Sequence, residues 1–251
     1  PTLSSAASDV YKRQLLLPTK PRAMLAEEIA WLSSAYPHRV GIGFAAGALP
    51  VDFELAEVPF DERNIRFKSN LPWIVDTLRG IAEDPIAKDL AINQCKLQPI
   101  PIVIAAQSTE ACRRAARLNA GILFDSLQSP EVSKKLSCIY REAGGNGPVI
   151  LIRRVWIGSP PTSQIQAQME HYHSYASERA KANWIQGDST VFGQNGAEAA
   201  ERLSGILHDS GCDTVNIRVH VAGLRADQVV EQLGKHKDDL VPVLKSDLKR
   251  G

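Results

Sequence analysis

Residues 101–127 read PIVIAAQSTEACRRAARLNAGILFDSL, and the order of residue types in them decides the fold class. A short, continuously apolar run over 102–106 has the length and composition of a buried strand. Gln107 and Ser108 interrupt it. Residues 109–119 then intersperse small apolar side chains with charged ones, as an amphipathic helix does. A second apolar run, 121–124, passes through Asp125 and Ser126 into another helical pattern over 130–143. Strands that are apolar on both sides and joined by amphipathic helices are parallel strands covered on both faces.

The same alternation continues outward. Upstream, a helix is expected over 22–34, with Met24, Ile29, Trp31 and Leu32 as its larger apolar residues and Glu27 and Glu28 toward solvent. A strand over 39–44 follows and runs into the small-residue stretch AAGALP. Another helix starts near Asp61, with the acid-rich first turn FDER and Gly80 near its end. Residues 82–101 hold three prolines and read as a long excursion. Downstream, Gly144-Gly145 stops a helix before a strand over 149–157. A helical stretch over 163–184, a Gly-rich loop, a helix over 196–210, a strand over 214–221 and a helix over 226–244 complete the chain. A doubly wound sheet and a (β/α)8 barrel both satisfy this order. No G-x-G-x-x-G follows a strand and no phosphate-loop motif is present, which favours the barrel. The pattern yields about five strands, whereas a closed barrel of this kind has eight.

Composition narrows the function. With 29 Lys+Arg against 28 Asp+Glu the formal charge is +1, so the basic excess that a nucleic-acid surface needs is missing. No apolar run reaches the length of a membrane span, and no signal-peptide layout is visible. Cys95, Cys112, Cys138 and Cys212 are far apart and form no C-x-x-C pair. They read as buried thiols of a reducing cytoplasm, not as a disulfide or zinc framework. The first residues, PTLSSAASDVYKRQ, have no helical or strand periodicity. Their end, DVYKRQ at 9–14, resembles a translated transposon-type sequencing adapter. Residues 1–14 are therefore set aside as a non-native tail, and the domain is taken as 15–251.

Ligands of parallel α/β proteins meet the C-terminal ends of the strands. Those ends carry Gly43-Phe44 with the small residues after them, Gln107-Ser108, Asp125-Ser126, Trp156 and the segment Arg218-Val-His220. Alternation along the last strand sends Asn216, Arg218 and His220 to one face and Val215, Ile217, Val219 and Val221 to the other. An arginine and a histidine on an inward face need partners; either a ligand or an internal ion pair, for example with Asp125, supplies them. Ser108 opens a helix directly after a strand, where free amides form an anion site and where a simple N-cap is equally at home. Trp156 is either a floor for a flat ligand or plain core. Glu170, His171 and His173 do not converge, because residues two apart on a helix diverge by about 200°; no metal site is expected. No lysine lies in a strand or at a rim, no second acid accompanies Asp125, and no G-x-S-x-G elbow occurs. Any chemistry is therefore carried by a cofactor.

Several segments in this order resemble the luciferase-like, flavin-dependent monooxygenases: AEEIAWL, RVGIGFAAGALPVDFE, PFDERNIRF, the 101–127 stretch, VILIRRVWIG, YHSYAS and CDTVNIRVHVAG. The resemblance runs from about Leu15 to Leu248. It implies an α/β (β/α)8 barrel that binds reduced FMN and uses O2 on a small organic substrate. An NAD(P)H flavin reductase would supply the reduced flavin, and the protein would be a cytoplasmic homodimer or higher oligomer. A sister branch uses a deazaflavin coenzyme for hydride transfer, and a barrel that binds flavin without turnover is a further alternative. The resemblance places the flavin phosphate at Ser108 and at the amides of Thr109 and Glu110. Gly43, Phe44, Asp125 and Trp156 complete the expected cofactor-binding set, and Arg218 and His220 form the catalytic set. Where some relatives have a phosphate-binding arginine at the fourth strand end, this chain has Phe44. By the same resemblance, roughly the first three strands precede the start of this sequence. The expectation is thus an incomplete barrel, inactive alone.

Overall fold

The structure, a computed structural model, describes residues 10–81, 83, 85–185 and 189–247. Most of the stretch set aside at the N-terminus, part of the Gly-rich loop and the last four residues lie outside it. The chain divides into two compact units: one extends to Ile122 and includes Ala143–Gly147, and the other holds Leu123–Glu142 and the chain from Pro148 on.

In the first unit, β1 (Val10–Leu16), α1 (Arg22–Ala35), β2 (Val40–Ala45), α2 (Pro50–Glu54), α3 (Arg63–Thr77), α4 (Leu90–Gln94), β3 (Ile102–Ala105) and α5 (Thr109–Arg117) follow one another. β2 pairs in parallel with both β1 and β3; Phe44 lies opposite Leu15 on one side and Ile104 on the other. All six residues of β2 are buried, as a parallel strand covered on both faces must be. Phe44, Phe53, Leu71, Ile74 and Leu78 have no exposed surface and form the centre of this unit. Two differences from the sequence reading stand out. Residues 10–14, which have no strand periodicity, belong to β1, and the excursion after Gly80 contains a helical turn, α4. Asp89 nucleates α4 by accepting the amides of Ala91 and Ile92 at 2.9 and 3.0 Å, a side-chain cap of the usual kind.

β4 (Gly121–Phe124) carries the chain into the second unit, where α6 (Pro130–Glu142), β5 (Val149–Ile157), α7 (Thr162–Tyr175), α8 (Glu178–Lys181), β6 (Val191–Gly193), α9 (Gly196–Ser210), β7 (Thr214–Arg218), α10 (Ala226–Lys235) and α11 (Val241–Asp247) follow. β5 is the central strand, with all nine residues buried. Its residues Ile150–Arg154 pair in parallel with Thr214–Arg218 of β7, and Val155–Ile157 pair in parallel with β6. That division shortens the last strand. β7 ends at Arg218 and not at Val221, because beyond Arg154 the partner of β5 is β6. The helix expected over 163–184 is likewise broken. Ala176 takes extended backbone angles, and Ser177 caps a new short helix by accepting the amide of Ala180 at 3.3 Å.

Val155, Ile157, Val191, Ala199, Leu203, Leu240 and Leu244 form the core between β5 and the helices, with Val215 and Ile217 packed against it. α10 and α11 are joined by a π-helical turn, His236–Leu240. At this turn the chain passes so close to α9 that a Cβ on Gly196 would sit 2.5 Å from the Asp239 carbonyl oxygen. Gly196→Ala should therefore destabilise the protein by about 1–3 kcal/mol. A Cβ at Gly205, exposed in the middle of the same helix, would meet nothing within 4 Å. Gly205→Ala should stabilise by about 0.5–1 kcal/mol through helix propensity. Denaturant midpoints of the two variants check the contrast; equal shifts would remove the close-approach argument.

No helix among the described residues is long and apolar enough to cross a membrane. The four thiols are all free, but they are not uniformly buried as expected: Cys95 and Cys112 are, Cys212 is half-buried and Cys138 is exposed.

Candidate functional site

The second unit holds an unusual concentration of buried cationic side chains. β5 reads VILIRRVWI, and its alternation assigns the two arginines to opposite faces. Val155 and Ile157 face the helices, so Arg153 begins on that side. Ile152, Arg154 and Trp156 occupy the other face, where the register sets Asn216 beside Ile152 and Arg218 beside Arg154. The sequence expectation that Val215 and Ile217 pack on helices while Asn216 and Arg218 face away from them is what this register produces.

Arg153 has no exposed surface. Its guanidinium donates to the carbonyls of Gln128 at 2.7 Å, Ser126 and Ile152 at 3.0 Å, and Asp125 at 3.4 Å. It therefore clamps the loop that follows β4. Asp125 stands in the same loop and accepts the amides of Leu127 and Gln128 at 2.8 and 2.9 Å. Burial pushes its carboxyl above the usual range, against the pull of those amides and of the Arg153 and Arg218 charges. Burial also lowers Arg153 to about 10, with Asp125 acting in the opposite direction. Asp125 thus lies within the field of Arg218.

Arg154 is 1% exposed. Its Nη2 donates to Gln168 Oε1 at 3.0 Å and its Nε to the His220 carbonyl at 3.4 Å, while Nη1 is buried without an acceptor. Gln168 is held in turn, its amide donating to the Tyr172 hydroxyl at 2.9 Å. Trp156 is nearly buried, with Nε1 donating to the Ser159 carbonyl at 2.9 Å. His220 differs from expectation. It lies beyond the end of β7 with its side chain exposed, so it is not an inward-facing strand residue. His171 and His173 turn to different neighbours, the rings of Tyr175 and Trp184.

The remaining site residues belong to the first unit. Phe44 is completely buried and Gly43 lies beside Val103 of β3. Ser108 is the N-cap of α5: its hydroxyl oxygen accepts the Ala111 amide at 3.3 Å. The amides of Thr109 and Glu110, in the first turn, have no acceptor within the helix. Glu110 is exposed and bonded to Arg117 at 2.9 Å, which holds its carboxyl below the usual range. Its charge is thus engaged outward, leaving its backbone amide as what the first turn offers. Such a turn suits an anion, and the Ser108 hydroxyl can donate its proton while accepting from Ala111.

The sequence reading passed over Arg153, Arg154 and Gln168. The signal was present for the arginines: two consecutive cations inside a nine-residue apolar strand are costly to bury and call for an explanation. Gln168 gives no such signal, because only the folded chain brings α7 to Arg154.

The sequence pattern of the luciferase-like monooxygenases matches residues 15–241. Uncharacterized proteins of Mycobacterium tuberculosis and Mycobacterium bovis are 29% identical over 142 residues, 53% of this chain and 49% of each relative. The chain thus spans about half the length of the curated relatives it matches. Among solved structures, the chain is similar to the monooxygenase RslO1 from Streptomyces bottropensis, with a TM-score of 0.69, 18% identity and coverage of 93% of this chain and 78% of that one. The oxygenating constituent of 3,6-diketocamphane monooxygenase from Pseudomonas putida, in complex with FMN, gives 0.65, 16%, 93% and 79%. The coenzyme F420 dependent tetrahydromethanopterin reductase from Methanopyrus kandleri gives 0.60, 15%, 94% and 81%. At these identities the likeness shows the fold alone, a parallel α/β fold of the luciferase-like barrel type.

Proposed function

We propose that this chain, which belongs to the luciferase-like monooxygenase family, works as a flavin-dependent oxidoreductase using reduced FMN and O2 on a small organic substrate. The observation that carries the reading is the start of α5. It lies directly after a parallel strand, offers the Thr109 and Glu110 amides, and has a Ser108 hydroxyl at hydrogen-bonding height. A phosphate fits this donor set. The flavin would supply the electrons and the centre at which oxygen is activated. The chain's own residues would bind and orient: Ser108 and the α5 amides the phosphate, Gly43 and Phe44 the neighbouring strand end, Trp156 and Asp125 the ring pocket, Arg218 and His220 the substrate side. A separate NAD(P)H flavin reductase would deliver reduced flavin, and the whole protein would work in the cytoplasm as a homo-oligomer. A second reading, hydride transfer with a deazaflavin coenzyme, is favoured by the F420-dependent reductase among proteins of the same fold.

Paired titrations test the cofactor. FMN should bind and quench its own fluorescence. Ser108→Ala should weaken FMN about tenfold, the worth of one hydrogen bond to a charged group, and leave riboflavin, which has no phosphate, unchanged. Equal weakening of both ligands would make Ser108 a cap only. Absence of binding by both FMN and coenzyme F420 at high micromolar concentration would sink the cofactor claim. Binding without oxygen-dependent turnover would favour a non-catalytic flavin barrel.

A further inference from the structure

Arg153 and Arg154 are adjacent on one strand and equally buried, yet their surroundings differ. Arg153 shows how this protein holds a structural arginine: four carbonyl oxygens receive its two Nη groups, only its Nε being buried without an acceptor, and Asp125 stands within its field. Arg154 has two neutral acceptors, one of them at 3.4 Å, and a buried Nη1 with none. Among the described residues no carboxylate pairs with it. Its neighbour across the sheet on the same face is another arginine, Arg218, whose charge bears on Asp125. A cation kept out of water without a counter-charge is unfavourable, and a like charge on the paired residue of the neighbouring strand makes it more so. An anion meeting Nη1 would reverse both effects.

The surroundings also define the shape of that anion's carrier. Gln168, oriented by Tyr172, holds Nη2 and fixes the guanidinium plane. Trp156 follows two residues further along the same face and is itself buried. The pair suits a small organic molecule with an acidic group on an apolar body.

We propose that Arg154, positioned by Gln168 and flanked by Arg218, is the anchor of an oxyanion subsite that receives a carboxylate, sulfonate or phosphate of the substrate. Assigning the anion to the substrate rests on the flavin-oxidoreductase reading above; the subsite itself does not, and the cofactor's phosphate is the other source of the same chemistry.

Sodium sulfate titrated into the 251-residue chain, against sodium chloride at matched ionic strength, is the direct probe, read by thermal shift and tryptophan fluorescence. Sulfate should stabilise the wild type. Arg154→Met should lose sulfate affinity by about 10- to 100-fold, the range of a charge-assisted hydrogen bond, while Arg154→Lys retains part of it. Without sulfate, Arg154→Met should melt at or above the wild-type temperature, since it replaces an uncompensated charge by an apolar chain. A structural arginine would behave in the opposite way. FMN and riboflavin titrations of the same variants separate the sources. Unchanged FMN binding assigns the anion to the substrate; weakened FMN with unchanged riboflavin assigns it to the cofactor phosphate and overturns the substrate assignment. A sulfate response in a protein that binds no flavin would retain the subsite and remove the flavin reading. No sulfate effect beyond ionic strength in the wild type, or an Arg154→Met variant that melts far lower with its sulfate response intact, would overturn the proposal.

Discussion

Replacing Arg153 by methionine should destabilise the protein by about 3–5 kcal/mol, the range found when one member of a buried charged network is removed. Methionine fills much of the space of the arginine stem, so a cavity is not the main cost. The cost arises at the loop after β4. The Ser126 and Gln128 carbonyls, which receive the guanidinium at 3.0 and 2.7 Å, lose their donor in a place where Ser126 and Gln128 are buried. Each unsatisfied acceptor costs about 1–3 kcal/mol, and Asp125 loses one of the two cations that oppose the upward push of burial on its carboxyl. Urea unfolding followed by far-ultraviolet circular dichroism would read the change. A loss below about 1 kcal/mol would mean that the loop is held by other contacts. The adjacent Arg154→Met is expected to move the other way, which makes the two variants controls for each other.

The second large effect is a loss of stability in acid. His236 opens the π-helical turn and is 6% exposed, and its Nε2 is buried without a hydrogen-bond partner. Burial lowers its pKa from 6.5 to about 4, opposed by a hydrogen bond to the Val155 backbone. The folded protein thus holds this histidine neutral, while the unfolded chain protonates it readily. Its contribution to stability is fully present above pH 6.5, begins to disappear below it and is gone once the pH has fallen through 4. The shift of about 2.5 pH units corresponds to about 3 kcal/mol at 1.36 kcal/mol per unit. Asp125 acts with the opposite sign, since a carboxyl raised by burial favours folding as it protonates. The informative quantity is therefore the difference between wild type and His236→Leu across pH 4–7. That difference should shift by about 3 kcal/mol toward the variant over the interval. A constant difference would show that the imidazole is solvated in the folded state.

Much of this architecture is legible one segment at a time. The apolar runs at 102–106, 121–124 and 149–157 became strands, and the helices between them lie close to where their periodicity sets them. Local signals fail where pairing partners compete. The run 214–221 has strand alternation throughout, yet it pairs only to Arg218, because β5 turns to β6 after Arg154. The three-residue strand β6 has too few residues to show any period. The long helical pattern over 163–184 concealed a break at Ala176, where Ser177, an N-cap residue type, was the available clue.

For the candidate site the division is similar. Ser108 at the start of a helix after a strand, and Arg218 opposite the helix-facing valine and isoleucine of β7, follow from the residue order alone, since a helix's first amides and a strand's alternating faces are local geometry. The sequence by itself thus determined the parallel α/β class and the likeness to a flavin-using family. Only the tertiary structure decided how differently two neighbouring buried arginines are satisfied. Arg153 finds Ser126 and Gln128, 27 and 25 residues away, and Arg154 finds Gln168, 14 residues away. Whether a buried charge has a partner depends on distances of a few ångströms between segments remote in the chain, and those distances exist only after the strands and helices have packed.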